Sequence, residues 1–218
     1  MKVEVKGEWL DEKKLEKLIY ARNTKGVTEK VKKAKVGIAG AGGLGSNIAI
    51  SLARLGVGEI TIVDFDIIEH SNLNRQQYFI SDIGNLKVKV LKSIINKINP
   101  FIKVNEVVEK IDERNIKDIF KDVDIIVEAF DVPENKAMLS NYVLTRMRDK
   151  YLIAASGMAG YYSSNLITTK KVRDKFYLCG DFENGISDTV GVMAPRVIIC
   201  ANHMANMVLN IILGKEEI

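Results

Sequence analysis

Lys35-Val36-Gly37-Ile38-Ala39-Gly40-Ala41-Gly42-Gly43-Leu44-Gly45 is the stretch on which the rest of the sequence depends. Its apolar first half predicts a buried parallel strand over Val36–Ala39, and Ser46–Leu55 carries apolar side chains at helical spacing. A glycine turn between a strand and a helix is typical of a phosphate-binding loop, because the N–H groups that open the helix attract an anion. The expected binding residues are the glycines of this turn, Gly40, Gly42, Gly43 and Gly45.

The composition indicates a globular protein of a reducing compartment. The chain has 218 residues, of which 47% are hydrophobic, enough for one sizeable α/β core. The N-terminus has no apolar signal region, and no run of about 18 residues is free of polar interruption, so we expect no membrane segment. Two cysteines, Cys179 and Cys200, form neither a disulfide framework nor a zinc motif, which favours the cytoplasm.

The charge pattern argues against nucleic acid as a partner. The formal net charge is +4, and the lysines are scattered rather than gathered in one tract. A nucleic-acid footprint normally concentrates basic residues on one face.

Periodicity predicts alternating strands and helices. The predicted strands are Val3–Val5 at an edge, Val36–Ala39, Glu59–Val63, Lys103–Glu109, Val123–Ala129, Tyr151–Ala155, Tyr161–Thr169 and Asp174–Leu178. The predicted helices are Trp9–Arg22, Thr28–Lys33, Ser46–Leu55, Lys87–Ile98, Ile111–Phe120 and Arg196–Leu213, the last apolar nearly all round and suited to the core or to a dimer interface. We therefore expect an α/β fold: a Rossmann-like, mostly parallel sheet with helices on both faces and a small antiparallel extension after residue 156. Residues 1–33 are expected to form an N-terminal strand and helix cap on a single domain spanning 34–218.

Charged residues after the second core strand favour ATP over NAD. Asp64 ends that strand, where a carboxylate accepts ribose hydroxyls in such folds, and up to this point both nucleotides fit. Arg75 and Lys87 follow as two cations that could stabilise the charge growing on a departing pyrophosphate. Hydride transfer needs no such pair, so adenylation is the better hypothesis.

These motifs together resemble the ThiF/MoeB adenylyltransferases, relatives of the ubiquitin-activating enzymes. The resemblance rests on the glycine loop, Asp64-Phe65-Asp66, Ser71-Asn72-Leu73-Asn74-Arg75-Gln76, Gly84 with Lys87, Ile98-Asn99-Pro100 and Gly191-Val192-Met193-Ala194-Pro195. It spans about Ala34 to Gly214 and favours the ThiF branch. It implies that Asp66, Ser71 and Asn72 also contact the nucleotide.

The resemblance also implies a magnesium-binding carboxylate. In the family an aspartate after the strand at Val123–Ala129, usually followed by asparagine, lies beside the α-phosphate and Mg²⁺. Asp131 matches the aspartate, while Val132 replaces the asparagine. A carboxylate suits a hard cation, although Asp131 could instead cap the helix that begins at Pro133.

The implied activity is ATP-dependent adenylation of the C-terminal glycine of a ubiquitin-like sulfur carrier, with Arg75, Lys87 and Asp131 as catalytic residues. A ThiS-like carrier of thiamine thiazole synthesis is favoured, and the small subunit of molybdopterin synthase is an alternative. Three alternative hypotheses remain: an NAD-binding oxidoreductase, a non-catalytic carrier-binding scaffold, and an enzyme that activates a tRNA-bound carboxylate. A homodimer is implied, with Arg22 as the candidate for a family arginine that reaches the partner's ATP.

Cysteine chemistry separates the remaining options. The family's paired Cys-x-x-Cys zinc motifs are missing, so no structural zinc is expected. Ser187 falls where some relatives have a sulfur-handling cysteine, and Cys179 lies at the far end of the expected polar loop 179–188. Either Cys179 takes over sulfur transfer, or the protein stops at the acyl-adenylate, which is the favoured hypothesis. The two histidines have no assigned role: His203 is expected in the core or on the surface, and His70 lies beside the Asn72 loop.

Overall fold

A computed structural model describes residues 3–5 and 8–216. Met1, Lys2, Lys6, Gly7, Glu217 and Ile218, which belong to the predicted cap and domain, lie outside the described residues. The strands are β1 (Val3–Val5), β2 (Glu8–Leu10), β3 (Lys35–Ala39), β4 (Glu59–Val63), β5 (Lys103–Val107), β6 (Ile125–Glu128), β7 (Tyr151–Ala155), β8 (Thr168–Arg173) and β9 (Phe176–Gly180). The helices are α1 (Glu12–Ile19), α2 (Val27–Val31), α3 (Gly43–Leu55), α4 (Lys87–Ile98), α5 (Ile116–Phe120), α6 (Pro133–Arg146) and α7 (Ala194–Leu213).

The main sheet has seven strands in the order β5-β4-β3-β6-β7-β9-β8. All neighbours are parallel except the β8–β9 pair, so the predicted Rossmann-like fold with an antiparallel extension is confirmed. The chain winds outward from β3 to β5 and then returns to place β6 on the other side of β3. The carboxyl ends of β3 and β6 therefore form the switch point, where ligands bind in open parallel sheets.

Helices cover both faces of the sheet. One apolar cluster joins the strands to α3, α4 and α7, through residues such as Ile38, Leu52 and Met204. The second joins the opposite face to α5 and α6, through Phe120 and Leu139. Gly37 of β3 is required here, because a Cβ at this position would lie 2.5 Å from the Phe120 ring.

The N-terminal region differs from its prediction. Trp9 and Leu10 belong to β2, which pairs antiparallel with β1, so the predicted helix Trp9–Arg22 is reduced to Glu12–Ile19. The hairpin is a separate sheet, and Val3–Val5 is not an edge of the main one. On α1 the apolar side chains Leu18 and Ile19 stay exposed.

Three further bounds were wrong. Residues 111–115 form a turn rather than helix, because the Asp112 and Asn115 side chains accept backbone N–H groups at 2.8 and 2.9 Å. The strand predicted at Tyr161–Thr169 begins only at Thr168. The strand predicted at Asp174–Leu178 begins at Phe176, because Lys175 takes the positive φ of the hairpin turn. Periodicity predicted no helix over α6, although a helix beginning at Pro133 was considered as one that Asp131 could cap.

Candidate functional site

The glycine loop, residues 40–45, follows β3 and forms one side of the switch point. Gly40 has φ +105° and donates its N–H to Val63 O at 2.8 Å. A Cβ on Gly45 would lie 1.9 Å from Gly40 O, so any other residue would force the loop away from α3. Gly42 precedes α3 and has no side chain to cap it. Among the described residues no side chain caps this helix terminus by a hydrogen bond, and its N–H groups suit an anion.

Asp64 fixes the loop from the neighbouring strand. Its two carboxylate oxygens accept the N–H groups of Ala41 at 2.7 Å and of Asp66 at 2.8 Å. Burial raises the pKa of Asp64, and these hydrogen bonds together with the Lys87 charge oppose the rise. The predicted ribose contact would use the remaining lone pairs of the same oxygens.

Lys87 begins α4 and is a buried cation. Its Nζ lies 2.8 Å from Asp66 Oδ2, and its side chain is 8% exposed, whereas the Asp66 side chain is 50% exposed. The Lys87 N–H also donates to Asp66 O at 3.0 Å. Asp66 therefore holds Lys87 close to the end of β4. From there the positive charge of Lys87 favours the ionised form of Asp64.

Arg75 lies across the start of α3. Its Cγ is 3.4 Å from where a Cβ on Gly43 would stand, so the glycine makes room for the arginine stem. Its guanidinium donates to Ser71 O at 3.1 Å and to Asn74 Oδ1 at 2.8 Å, both neutral acceptors. No carboxylate of the described residues pairs with it, so its charge is available to a phosphate.

The other predicted contacts of this segment occupy different positions. Ser71 is exposed and supplies its backbone carbonyl to Arg75. Asn72 is buried, and its Oδ1 accepts the Glu69 N–H at 3.0 Å, which closes a short 3-10 turn. Nucleotide contacts by these two side chains remain predictions. His70 is exposed on the same turn.

Asp131 and Val132 lie at the end of β6, across from the glycine loop. Both are exposed, and within the described part of the chain the Asp131 carboxylate has no hydrogen-bond or ion-pair partner. The N-cap position of α6 is occupied by Val132, so Asp131 does not cap that helix. Its carboxylate is free to bind a cation, and the Mg²⁺ contact remains a prediction.

Sequence reasoning missed the residues that support this edge. Asn47 is buried, and its Nδ2 donates to Gly43 O at 2.7 Å and to Arg75 O at 3.0 Å, while Gln77 Nε2 donates to its Oδ1 at 2.7 Å. Tyr78 OH donates to Ala41 O at 2.7 Å. The only signal was the polar Gln76-Gln77 pair directly after Arg75. These bonds fasten the arginine segment to the glycine loop.

The sequence matches the ThiF family over residues 16–218. The chain belongs to the ThiF family. It is 34% identical over 194 residues to the adenylyltransferase and sulfurtransferase MOCS3 of Arabidopsis thaliana, a match that spans 84% of this chain and 40% of that protein. It is 33% identical to a probable molybdopterin-synthase adenylyltransferase of Porphyra purpurea, over 87% of this chain and 51% of that protein. This chain thus spans about half, or less, of the length of these relatives.

A solved structure agrees with the family assignment. The Escherichia coli MccB structure with ATP is 28% identical, with a TM-score of 0.67 over 88% of this chain and 59% of that chain. The nucleotide in that structure belongs to MccB; the open helix terminus and unpaired Arg75 of this ThiF-family chain fit a phosphate-bearing ligand.

Cys179 does not lie in the predicted polar loop 179–188. Cys179 belongs to β9 and is fully buried, with its Sγ 3.4 Å from Thr169 Oγ1. Burial raises the pKa of its thiol to about 11, so the thiolate is scarce near neutral pH. The predicted loop position of Cys179 is therefore wrong, and its burial argues against the alternative in which Cys179 takes over sulfur transfer. Cys200 is buried on α7, and Ser187 is exposed in the loop after β9.

Arg22 lies away from its own glycine loop. Tyr20, two residues earlier, packs under Gly56 at the C-terminal end of α3 and receives an N–H from Asn99 at 2.8 Å. α3 begins at the loop and spans about 20 Å at 1.5 Å per residue, so the exposed Arg22 lies too far from this loop to contact a phosphate bound there.

Two further features concern metals and membranes. Among the described residues no group of three or more His, Cys, Asp and Glu side chains is placed to hold a metal ion. By length and composition α7 could cross a membrane, a property that it shares with the core helices of soluble proteins. In this fold α7 packs on α3 and β7, and its His203 Nδ1 lies 3.2 Å from Thr169 Oγ1.

Proposed function

We propose that this chain is an adenylyltransferase that binds ATP at the switch point and activates the C-terminal carboxylate of a ubiquitin-like sulfur carrier. The observation that supports the proposal most strongly is the surroundings of the glycine loop. Within the part of the chain that the structure describes, an uncapped helix terminus, Arg75 without a carboxylate partner and Asp131 without a polar partner lie around the carboxyl ends of β3 and β6. An NAD oxidoreductase would give Arg75, Lys87 and Asp131 no joint task.

The proposed reaction is an in-line displacement at the α-phosphate. The carrier carboxylate forms the new P–O bond, and the bond to the pyrophosphate oxygen breaks, which gives an acyl-adenylate and free pyrophosphate. Arg75 and Lys87 stabilise the negative charge that grows on the leaving pyrophosphate, and the protein otherwise contributes positioning. Asp131 would hold the Mg²⁺ that accompanies ATP.

The carrier itself is the finer part of the proposal. A ThiS-like carrier of thiamine thiazole synthesis is one candidate, and the small subunit of molybdopterin synthase is the other. The names of the relatives support the second candidate, since both the MOCS3 and the Porphyra relatives are adenylyltransferases and one is named for molybdopterin synthase.

ATP–pyrophosphate exchange with a panel of small carriers ending in Gly-Gly tests the proposal. We expect Arg75→Ala to lower the exchange rate by about 10²–10³, the loss typical of one electrostatic stabiliser. Arg54→Ala is the matched control, because Arg54 is an exposed arginine in the last turn of α3, at the end remote from the glycine loop. Absence of exchange with every carrier would favour the scaffold alternative, and an Arg75→Ala rate within about threefold of wild type would remove the assigned role.

We further propose a homodimer in which Arg22 serves the partner's site, in a cytoplasmic protein. α7 is a less suitable seam than its composition indicated, because residues such as Val197, Ala201 and Val208 are buried in the protomer's own core. The exposed Trp9 and Leu18 offer a different apolar surface. Mixing Arg22→Ala with Asp131→Ala subunits should restore activity if Arg22 acts across the interface, and no restoration would exclude it.

A further inference from the structure

Glu128 and Lys136 form a buried ion pair directly beside the predicted magnesium ligand. Glu128 is the last residue of β6 and is fully buried, and Lys136 lies in the first turns of α6 with its side chain 24% exposed. Lys136 Nζ is 2.8 Å from Glu128 Oε2 and 3.1 Å from Oε1. Neither residue was singled out by its sequence motif.

The pair fixes both backbone polar groups of one residue. Glu128 Oε1 accepts the Phe130 N–H at 2.8 Å, and Lys136 Nζ donates to the Phe130 carbonyl at 3.1 Å. Phe130 immediately precedes Asp131, whose own carboxylate makes no bond within the described residues. The peptide that carries Asp131 is therefore oriented by the ion pair and by nothing that Asp131 does itself.

Stability alone is a poor reason for such a pair. Removing two charges from water costs several kcal/mol per ion, and well-packed apolar residues often replace a buried pair without loss. The apolar cluster on this face of the sheet, with Leu139 and Val143 of α6, could have continued to the strand end. What an apolar pair could not do is hold the N–H and C=O of Phe130.

We propose that Glu128 and Lys136 are positioning residues that hold the Phe130 peptide so that Asp131 points its free carboxylate into the switch point between β3 and β6. This inference rests on the proposed adenylation, in which Asp131 takes part. Supporting groups of this kind typically contribute about 10–100-fold to the activity or metal affinity of the ligand they orient.

The test compares three variants of the full-length protein. Lys136→Met removes the ammonium group but keeps an unbranched stem, and Lys136→Arg keeps the charge. The double variant Glu128→Leu/Lys136→Met removes both charges without leaving one buried alone, and it also removes the oxygen that accepts the Phe130 N–H. ATP–pyrophosphate exchange gives kcat and KM for ATP, thermal unfolding gives stability, and hydrogen–deuterium exchange reports the Phe130 N–H directly.

We expect Lys136→Met to lower kcat by about 10–100-fold with a smaller change in KM, because the reacting groups are misplaced more than ATP binding is weakened. The Phe130 amide should exchange faster, and Lys136→Arg should recover most of both properties. In the double variant stability should return toward wild type while kcat stays low and the amide stays exposed. That combination separates positioning from a merely structural role.

Lys150→Met is the matched control. Lys150 is also ion-paired, with Asp149 at 3.1 Å, and donates to the Lys121 carbonyl at 3.0 Å, but it lies just before β7, at the amino ends of the strands and away from the switch point. Its kcat should match wild type. The inference is overturned if Lys136→Met keeps kcat and Phe130 protection within about threefold of wild type, or if the double variant regains kcat along with stability. If wild type shows no pyrophosphate exchange, the adenylation proposal fails, while the Phe130 measurement still reports whether the pair holds the peptide.

Discussion

Two buried ion pairs occupy equivalent places in the sheet. Glu128 ends β6 and pairs with Lys136 of the helix that follows, and Asp181 comes directly after β9 and pairs with Arg196 of the next helix, α7. In both cases a carboxylate at the carboxyl end of a strand is joined to a cation that also binds backbone carbonyls. The same arrangement, a strand-end carboxylate paired with a cation of the next helix, therefore occurs twice in the sheet.

The surroundings of the two carboxylates differ. Asp181 Oδ1 accepts the N–H groups of Glu183 at 3.0 Å and Asn184 at 2.8 Å, so the loop itself solvates the charge. Burial opposes ionisation of Asp181, yet the bonds from Asn184 and Glu183 and the charge of Arg196 hold its pKa below the usual value. Burial raises the pKa of Glu128, and Lys136 is the largest influence that opposes the rise.

The two cations also differ, both in their exposure to solvent and in the number of backbone carbonyls that they bind. Arg196 is 3% exposed and donates to Tyr162 O and Ser163 O, both at 2.8 Å, which ties three segments of the C-terminal region together. Lys136 is partly exposed and binds one peptide beside the free Asp131. The comparison indicates that the β9 pair holds the fold and that the β6 pair serves the site.

The largest effect should come from breaking the β9 pair. Arg196→Met leaves Asp181 ionised and buried and frees two carbonyls, so we expect a loss of about 3–5 kcal/mol in the free energy of unfolding, measured in urea. The double variant Asp181→Asn/Arg196→Met should recover part of this loss, because the asparagine carbonyl still accepts the loop N–H groups. A loss below about 1 kcal/mol in the single variant would show that the pair is not structural.

Breaking the β6 pair should cost less stability, and the cost should depend on pH. In Lys136→Met the pKa of Glu128 rises further, because its main opposing charge is gone, so the carboxyl can stay protonated in the fold. A carboxyl with a raised pKa contributes stability below its unfolded value near 4.5, and this contribution is lost as the pH rises through the folded pKa. We expect a cost of about 1–2 kcal/mol near neutral pH that shrinks toward pH 5.

Comparing Lys136→Met with Arg196→Met tests this predicted pH dependence. Arg196→Met should recover less in acid, because the N–H groups of Glu183 and Asn184 still favour the ionised form of Asp181. Equal pH profiles of thermal unfolding for the two single variants would contradict the distinction between the pairs.

The two halves of the chain also differ in how far the sequence predicts them. β4, α4 and β7 have the predicted bounds, and the glycine loop and α3 lie where expected. Continuous apolar strands and an amphipathic helix bounded by glycines are local signals, and local signals suffice there. Lys87 and Asp131 follow β4 and β6, so their location at the carboxyl edge follows from the same local signals, while the catalytic roles of Arg75, Lys87 and Asp131 stay predictions.

Long-range bonds decide the rest. Tyr162 and Ser163 cannot extend β8, because Arg196, more than thirty residues later, takes their carbonyls. Glu128 and Lys136 are eight residues apart and look like ordinary surface charges until the strand end and the helix come together. Cys179 was assigned to a loop because the apolar pattern ends near Leu178, whereas pairing with β8 extends the strand to Gly180.

A third ion pair, Lys171 with Glu216, is partly exposed and should contribute less stability than either buried pair. Glu216 accepts hydrogen bonds from Tyr177 OH at 2.6 Å, Lys171 Nζ at 2.9 Å and Tyr151 OH at 2.7 Å, and these lower the pKa of its carboxyl to about 2. The resulting stability is present above the unfolded pKa of 4.5 and is lost as the pH falls through about 2. Because the pair is exposed to solvent, Glu216→Gln should cost only about 1 kcal/mol near neutral pH, with the difference from wild type vanishing in acid. A constant difference from pH 6 to pH 2 would show that the charge plays no part.

The smallest effect on activity should come from Cys179→Ala. Cys179 lies in β9, on the structural side of the comparison, and its buried thiol has a pKa raised to about 11. Adenylation needs no thiol, so pyrophosphate exchange should stay within about twofold of wild type, although a small cavity lowers stability by about 1 kcal/mol. Thiocarboxylate should still form when sulfide is supplied with a carrier.

The sulfur step makes this variant decisive for the Cys179 hypothesis. A disulfide or persulfide would require a thiolate that meets the carrier, and both the burial of Cys179 and its contact with Thr169 Oγ1 oppose that. The exposed Ser187 has a hydroxyl that cannot replace it. The protein should therefore stop at the acyl-adenylate and leave sulfur delivery to a separate donor. If Cys179→Ala adenylates normally yet makes no thiocarboxylate from sulfide, β9 must open during turnover, and the division between a structural and a functional half of the sheet is wrong.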